Sequence, residues 1–151
     1  MLDLVVKTTK YNLQSSSNLR LIDANLNRLR EGIRVIEDIF RYIFNDKETA
    51  SKLKKLRHKS RINHLHNLLE SRDIKNDVLK QSTTSEQTRK DLNSILIANF
   101  KRAQESSRVL EEFTKLISIE DTNNFKYIRY ELYDLEKNIQ NKTKNTYIDK
   151  K

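Results

Sequence analysis

The stretch ANLNRLREGIRVIEDIFR, residues 24–41, returns seventy-four positions later as ANFKRAQESSRVLEEFTK, residues 98–115. Ala, Asn, Arg, Glu, Arg, Val and Glu recur in the same register, and five of those seven are polar. Around the first copy, apolar residues fall at Ile22, Leu26, Leu29, Ile33, Ile36, Phe40 and Ile43, in the steps of three and four of an amphipathic helix. Around the second they fall at Leu92, Leu96, Phe100, Ala103, Leu110 and Phe113. The repeat continues downstream. LKKLRH at 53–58 matches FKYIRY at 125–130 at an offset of 72, each an apolar residue, Lys, any residue, an aliphatic, Arg and an aromatic or His. A helix–helix pair therefore occurs twice.

That duplication predicts an all-α fold, an antiparallel four-helix bundle made from a duplicated helical hairpin with pseudo-twofold symmetry. The expected helices cover 19–44, 46–69, 84–118 and 124–142. Asn45 with Glu48 and Thr83 with Glu86 have capping-box spacing, Ser17 or Asn18 would cap the first helix, and Asp121 or Asn123 the fourth. The expected organisation is a flexible N-terminal arm over 1–17 and a single helical domain over 18–142. The domain's halves, 18–70 and 84–142, flank a central loop at 71–83, and a solvated tail follows at 143–151.

Composition agrees. The 151 residues include one Gly, no Pro and no Cys, with 36% hydrophobic and 34% charged residues. Sheets and tight turns rarely manage without Gly and Pro, whereas long helices with charged outer faces do. Without Cys there are no disulfides or thiolate metal sites, which suits a reducing cytosol. No apolar run approaches the roughly 20 residues that span a bilayer, and MLDLVV is short and lacks a signal peptide's basic flank. A cytoplasmic protein is expected. The formal charge of +9 favours anionic partners, although a Lys- and Asn-rich chain also reaches it by compositional bias alone.

At about 100° per residue, the shared polar residues Asn25, Arg28, Glu31, Arg34 and Glu37 form a slowly winding ribbon. Asn99, Arg102, Glu105, Arg108 and Glu111 form its twin. One reading is a ladder of intrahelical ion pairs, each contributing only about 0.2–0.5 kcal/mol. The other is that the ribbons face each other across the bundle and line one polar cleft, whose Arg forks suit phosphate oxygens and whose spare carboxylates suit a divalent cation. The lone Gly32 sits within a helix and no GxxxxGK[ST] exists, so a P-loop is excluded and phosphate would be held by side chains and helix N-termini. Gly32, whose counterpart is Ser106, reads first as a close helix-packing contact. Arg72, Asp73 and Asp77 of the central loop have no partner in the repeat. His58, His64 and His66 lack helical metal spacing, and the Tyr residues are not interleaved as in an RNA-binding sheet.

DANLNRLREGIRVIED, LKKLRH, SRDIKNDV and ILIANFKRAQESSRVLEEFTKL resemble the small hydroxymethylpyrimidine phosphate kinases of thiamine biosynthesis, an all-helical domain often fused to thiamine-phosphate synthase. The resemblance covers about residues 20–137. It implies ATP- and Mg2+-dependent phosphorylation of 4-amino-5-hydroxymethyl-2-methylpyrimidine phosphate to the diphosphate, with functional coupling to thiamine-phosphate synthase. Carried over residue by residue, Arg28, Arg34, Arg102 and Arg108 would clamp phosphates, with Asp73 in the catalytic set. Asn25, Arg57, His58, Arg72 and Asn99 would contact substrate, Glu31, Glu105 and Asp77 would hold magnesium, and Glu37 and Glu111 would support them. The family's loop carries a Gly where this chain has Leu79. Two other classes stay open. A helical Mg-dependent nucleotide pyrophosphohydrolase would need a dense carboxylate cluster, which the equal Arg and Glu count disfavours. A non-enzymatic basic module for nucleic acid or a partner protein would gather its cations on one face, whereas Lys is spread over all helices; no membrane partner is expected, and a homodimer stays open.

Overall fold

The computed structural model describes residues 16–63 and 65–148, so residues 1–15 of the expected arm over 1–17, His64 and the last three residues lie outside the described residues. The described residues form six α-helices: α1 (Ser16–Asp38), α2 (Lys47–Lys59), α3 (Leu68–Ser71), α4 (Thr84–Gln87), α5 (Leu92–Thr114) and α6 (Ile119–Ile148). The predicted all-helical bundle is what forms, with α1, α2, α5 and α6 as its four long members.

The repeat's apolar stripes account for the core. Ile22, Leu29, Ile33 and Ile36 of α1 meet Leu53 of α2, Leu96, Phe100 and Leu110 of α5, and Phe125, Ile128 and Leu132 of α6, all fully buried. Each such side chain contributes about 1.5–3 kcal/mol relative to exposure. The most extensive interface joins α1 to α5, while α2 and α6 touch only thinly. The α5–α6 hairpin is antiparallel: Ser107 Oγ donates to the Phe125 carbonyl (2.8 Å), and at its other end Gln140 reaches Asn93 (3.3 Å). Asn124 at the start of α6 donates to the Lys59 carbonyl at the end of α2 (2.8 Å). With both hairpins antiparallel, this tie runs α1 and α5 in opposite directions.

Gly32 marks their closest approach. A Cβ placed there would lie 3.1 Å from the Asn99 carbonyl oxygen and 3.4 Å from the Ala103 Cβ. The expected packing role is therefore the observed one, and its twin position Ser106 is also buried.

Element ends differ from expectation for local reasons. After Asp38 the chain takes one π-helical turn (Ile39–Ile43), and Asn45 adopts φ 52°. That left-handed residue leaves Asp46 as the cap of α2, accepting from the Thr49 amide (3.1 Å) and hydroxyl (2.7 Å), instead of an Asn45–Glu48 box. The helix α2 stops at Lys59, not at 69. The Ser60 hydroxyl turns back to the Leu56 carbonyl (2.8 Å), and Ile62 fills the core from a non-helical segment. The Thr83–Glu86 box forms as expected but caps a single turn, because residues 84–91 offer no apolar side chain to bury. The long helix instead starts at Leu92 behind an Asp91–Ser94 box. Ser118, accepting from the Asp121 amide (3.3 Å), opens α6 at Ile119, and that helix continues to Ile148, through much of the expected tail. Ser17 and Asn18 lie inside α1 rather than capping it.

Candidate functional site

The twin ribbons obey the pseudo-twofold down to single hydrogen bonds. Asn25 Nδ2 donates to the Leu21 carbonyl (2.9 Å) and Asn99 Nδ2 to the Ile95 carbonyl (2.8 Å). Each amide thus satisfies its own helix at the α1–α5 crossing, and neither is presented as a free ligand group. At the far end of each ribbon the carboxylate is buried and taken. Glu37 accepts from Arg57 Nε (2.7 Å) and Nη2 (3.2 Å). Glu111 accepts from Arg129 Nε (2.9 Å), and Arg129 Nη2 lies 2.8 Å from the same oxygen. Arg57 and Arg129 are the shared Arg of LKKLRH and FKYIRY, so the downstream repeat exists to neutralise the upstream one. The Arg57 guanidinium is pushed further up by its hydrogen bond to Glu37. Arg57, expected at substrate, is therefore a half-buried partner of the buried Glu37.

Between the buried ends the ribbons are open. Arg28, Glu31, Arg102 and Glu105 are all exposed, and among the described residues Arg28, Arg102 and Glu105 make no hydrogen bond or ion pair. Arg34 is engaged with Asp38 (3.3 Å), and Arg108 with Glu112 (2.8 Å) and Glu111 (3.3 Å). The ladder reading thus holds at the ribbon ends and fails at the centre. On the helical wheel Arg28 and Arg102 sit about 40° from Gly32 and Ser106 respectively, on the flank of the α1–α5 contact. In the antiparallel register set by Gly32 against Asn99 and Ala103, Arg28 comes level with Glu105 and Glu31 with Arg102. All four are exposed to solvent on the α1–α5 pair and none is buried in the bundle interior.

The unduplicated loop is fastened beside the first ribbon only. Arg72 Nε and Nη2 fork onto the two carboxylate oxygens of Asp23 (2.8 and 3.0 Å), and Arg20 donates to the Asp73 carbonyl (2.7 Å). The Arg72 guanidinium is raised first by the bond to Asp23, and the Glu31 carboxylate adds to the effect. Arg72 therefore anchors the loop and is not a free phosphate clamp. Asp73 accepts from the side chain (2.7 Å) and amide (3.2 Å) of Asn76, which hold its carboxyl below the usual range, with Arg20 adding to the effect. Asp77 accepts from the Leu79 amide (2.9 Å). Leu79 is exposed and does not take a positive φ, so the missing Gly costs this loop no backbone strain.

No three His, Asp or Glu side chains converge to hold a metal ion among the described residues, so Glu31, Glu105 and Asp77 do not form a preassembled magnesium cage. His58 is exposed on the last turn of α2. Sequence reasoning missed Asp23, Arg20 and Arg129; the last was readable from the repeated Arg, whereas the first two are polar helix positions that only a docked loop distinguishes. No helix is long and apolar enough to cross a membrane among the described residues.

A family model described as the ThiD2 family matches residues 20–138. The chain is 39% identical over 121 residues to a thiamine-phosphate synthase of Nostoc punctiforme, covering 80% of this chain and 34% of that protein. It is 40% identical over 118 residues to that of Synechocystis sp., covering 78% and 34%, and 38% identical over 127 residues to that of Rhodopirellula baltica, covering 81% and 34%. The chain thus spans about a third of the length of the curated relatives it matches. No solved structure matches. On the family match over nearly all the bundle, this chain belongs to the ThiD2 family.

Proposed function

We propose that this chain is a thiamine-biosynthesis kinase that transfers the γ-phosphoryl group of ATP to 4-amino-5-hydroxymethyl-2-methylpyrimidine phosphate. A phosphate oxygen of the acceptor forms the new P–O bond, the bond between the γ-phosphorus and the β,γ-bridging oxygen breaks, and ADP leaves. The acceptor is already anionic at that oxygen, so no strong general base is required, and catalysis rests on positioning and charge neutralisation.

The observation that carries the reading is the open centre of the twin ribbons. Arg28 and Arg102 are paired with nothing among the described residues, while the flanking acids Glu37 and Glu111 are consumed by structural arginines. Two exposed guanidiniums from opposed helices suit two phosphorylated ligands brought together, each fork matching phosphate oxygens. Glu31 and Glu105 are the carboxylates that would face a magnesium ion. Because no three acids converge, such an ion would take most of its ligands from nucleotide phosphates and water, as Mg2+ commonly does; it would neutralise charge on the transferred group. The anchored 72–77 loop gives the first ribbon a polar neighbour the second lacks, a basis for telling donor from acceptor. Membership of the ThiD2 family and relatives named thiamine-phosphate synthase support this reading. The pyrophosphohydrolase alternative has no converging acid cluster to rest on among the described residues.

The test is a coupled ADP-release assay on the purified chain with ATP and magnesium, comparing the pyrimidine monophosphate with its unphosphorylated alcohol. Turnover of the monophosphate alone supports the reading. Folded protein that turns over neither refutes it.

A further inference from the structure

Between the anchored Asp73 and the start of α5 the chain covers nothing. Every residue from 74 to 91 is exposed, and α4 packs against no other helix. Among the described residues, nothing in 74–90 makes a hydrogen bond or ion pair with α1, α2, α5 or α6. Yet this segment leaves three large aliphatic side chains in water, with Ile74, Val78 and Leu79 exposed by 73%, 93% and 85%. Such side chains gain free energy from any surface that covers them. The segment is also cationic: Lys75, Lys80, Arg89 and Lys90 outnumber Asp77 and Glu86 over 74–90. Its two ends fix where it passes. Arg20, which holds the Asp73 carbonyl, lies about 20° from Glu31 on the wheel of α1. In the register set by Gly32, the start of α5 lies level with the π-helical turn that ends α1. The core side chains of α1 and α5 turn toward α2 and α6, so the chain crosses the other side of the pair. The straight path from Asp73 to Leu92 runs about 30 Å along the pair and passes its middle, at the level of Arg28, Glu31, Arg102 and Glu105. Eighteen residues reach about 60 Å when extended, so the segment has slack and bows away from that path.

We propose that residues 74–91 are a strap, hinged at the Arg72–Asp23 and Arg20–Asp73 anchors, that closes over the ribbon centre when a polyphosphate is bound there and excludes water from it. The inference rests on the reading of that centre as a phosphate site. Without an anion the centre, two arginines and two glutamates, offers the strap's cations no net charge. A bound polyphosphate does, so the ligand binds the closed state better than the open one and shifts the balance toward closure. Once closed, Ile74, Val78 and Leu79 would cover the transferring group and keep water from competing with the acceptor oxygen. The open, solvated centre of the ligand-free chain is then one of two states of the same site.

The chain has no cysteine, so Ser82→Cys, at an exposed strap residue, gives the full chain one thiol for a nitroxide label. Paramagnetic broadening of backbone amides then reads where the strap goes. Arg28, Glu31, Arg102 and Glu105 are compared with Tyr127 and Tyr130, exposed on α6. One probe is magnesium with inorganic tripolyphosphate. The other is magnesium with a β,γ-methylene ATP analogue and the pyrimidine monophosphate. Broadening at the ribbon centre should rise about threefold or more with each probe, and that at Tyr127 and Tyr130 should not. No rise with either probe, or a rise as large on α6, overturns the strap. Calorimetry on the same samples separates the two readings. Ligands that bind without a rise sink the strap and keep the kinase reading. A rise with tripolyphosphate in a chain that transfers no phosphoryl group keeps the strap and sinks the kinase reading. Replacing Val78 and Leu79 together by Ser tests what closure does. Both side chains are exposed, so the thermal midpoint should not move. Water should then attack the γ-phosphorus in place of the acceptor oxygen, releasing ADP and inorganic phosphate. The ADP released per diphosphate formed should rise about threefold or more; an unchanged ratio in a chain that turns over overturns the inference.

Discussion

Replacing Arg57 by Ala separates a structural arginine from a phosphate clamp. The Glu37 side chain is 2% exposed and its two oxygens receive Arg57 at 2.7 and 3.2 Å. Truncation leaves a carboxylate buried among core residues with its partner gone, and breaking such a pair costs about 3–5 kcal/mol. A domain of this size has a total stability of only about 5–15 kcal/mol, so Arg57→Ala should lose a large share of it. The duplication supplies an internal control. Arg129 makes the corresponding pair with Glu111, but Glu111 keeps a second cation, Arg108, at 3.3 Å. With two Arg129 nitrogens approaching one Glu111 oxygen, Arg129→Ala should therefore fall at or below the low end of that range. Urea denaturation followed by helical circular dichroism reads both, with unchanged m-values expected for a change confined to the native state. Arg57→Lys should recover only part of the loss, since an ammonium cannot fork onto both oxygens. If Arg57→Ala shifts stability by less than about 1 kcal/mol while abolishing turnover, Arg57 is a ligand group and the structural assignment is wrong.

At the ribbon centre the expectation reverses: Arg28→Ala and Arg102→Ala should each lower turnover by about 100-fold or more and shift stability within roughly 0.5 kcal/mol, measured by the kinase assay and urea melts on the same samples. Gly32→Val should destabilise by about 1–3 kcal/mol from overpacking against the Asn99 carbonyl. Gly32→Ala should come within about 1 kcal/mol of neutral, because the better helix propensity of Ala opposes the 3.1 Å contact; a fully neutral Val variant would refute the close approach. Asp73 is depressed by its Asn76 bonds, so its contribution to loop order is present above the ordinary carboxylate pKa and is lost as pH falls through its lower folded value. Carbon-detected NMR titration should show that lowered midpoint, and Asn76→Ala should return it toward the ordinary one.

The fold was legible because duplication doubles each signal. One apolar stripe could be chance, but two in register with the same flanking polar residues define a hairpin and its copy. The helix ends were less legible, since they depend on single side chains competing with the backbone. Ser60 turns onto the Leu56 carbonyl and ends α2 ten residues early, although Ile62 keeps the apolar pattern going in the sequence. The ribbon hid a division of labour for a related reason. Asn25, Arg28 and Glu37 recur identically, but identity does not distinguish a residue that holds its own helix, one that faces solvent and one whose buried carboxylate is neutralised by an arginine. That distinction comes from the partner helix, and half of it was present in the sequence: the Arg of LKKLRH and FKYIRY recurs alongside the last ribbon Glu, as a buried pair must. The loop anchor offered no such cue. Asp23 and Arg72 lie forty-nine residues apart and have no twin, so nothing in the repeat marks them as a pair. If the asymmetric elements carry acceptor recognition, exchanging the 71–77 loop for a Gly/Ser linker of equal length should raise the KM for the monophosphate far more than that for ATP. Equal effects on the two would mean that the ribbons alone choose the substrates.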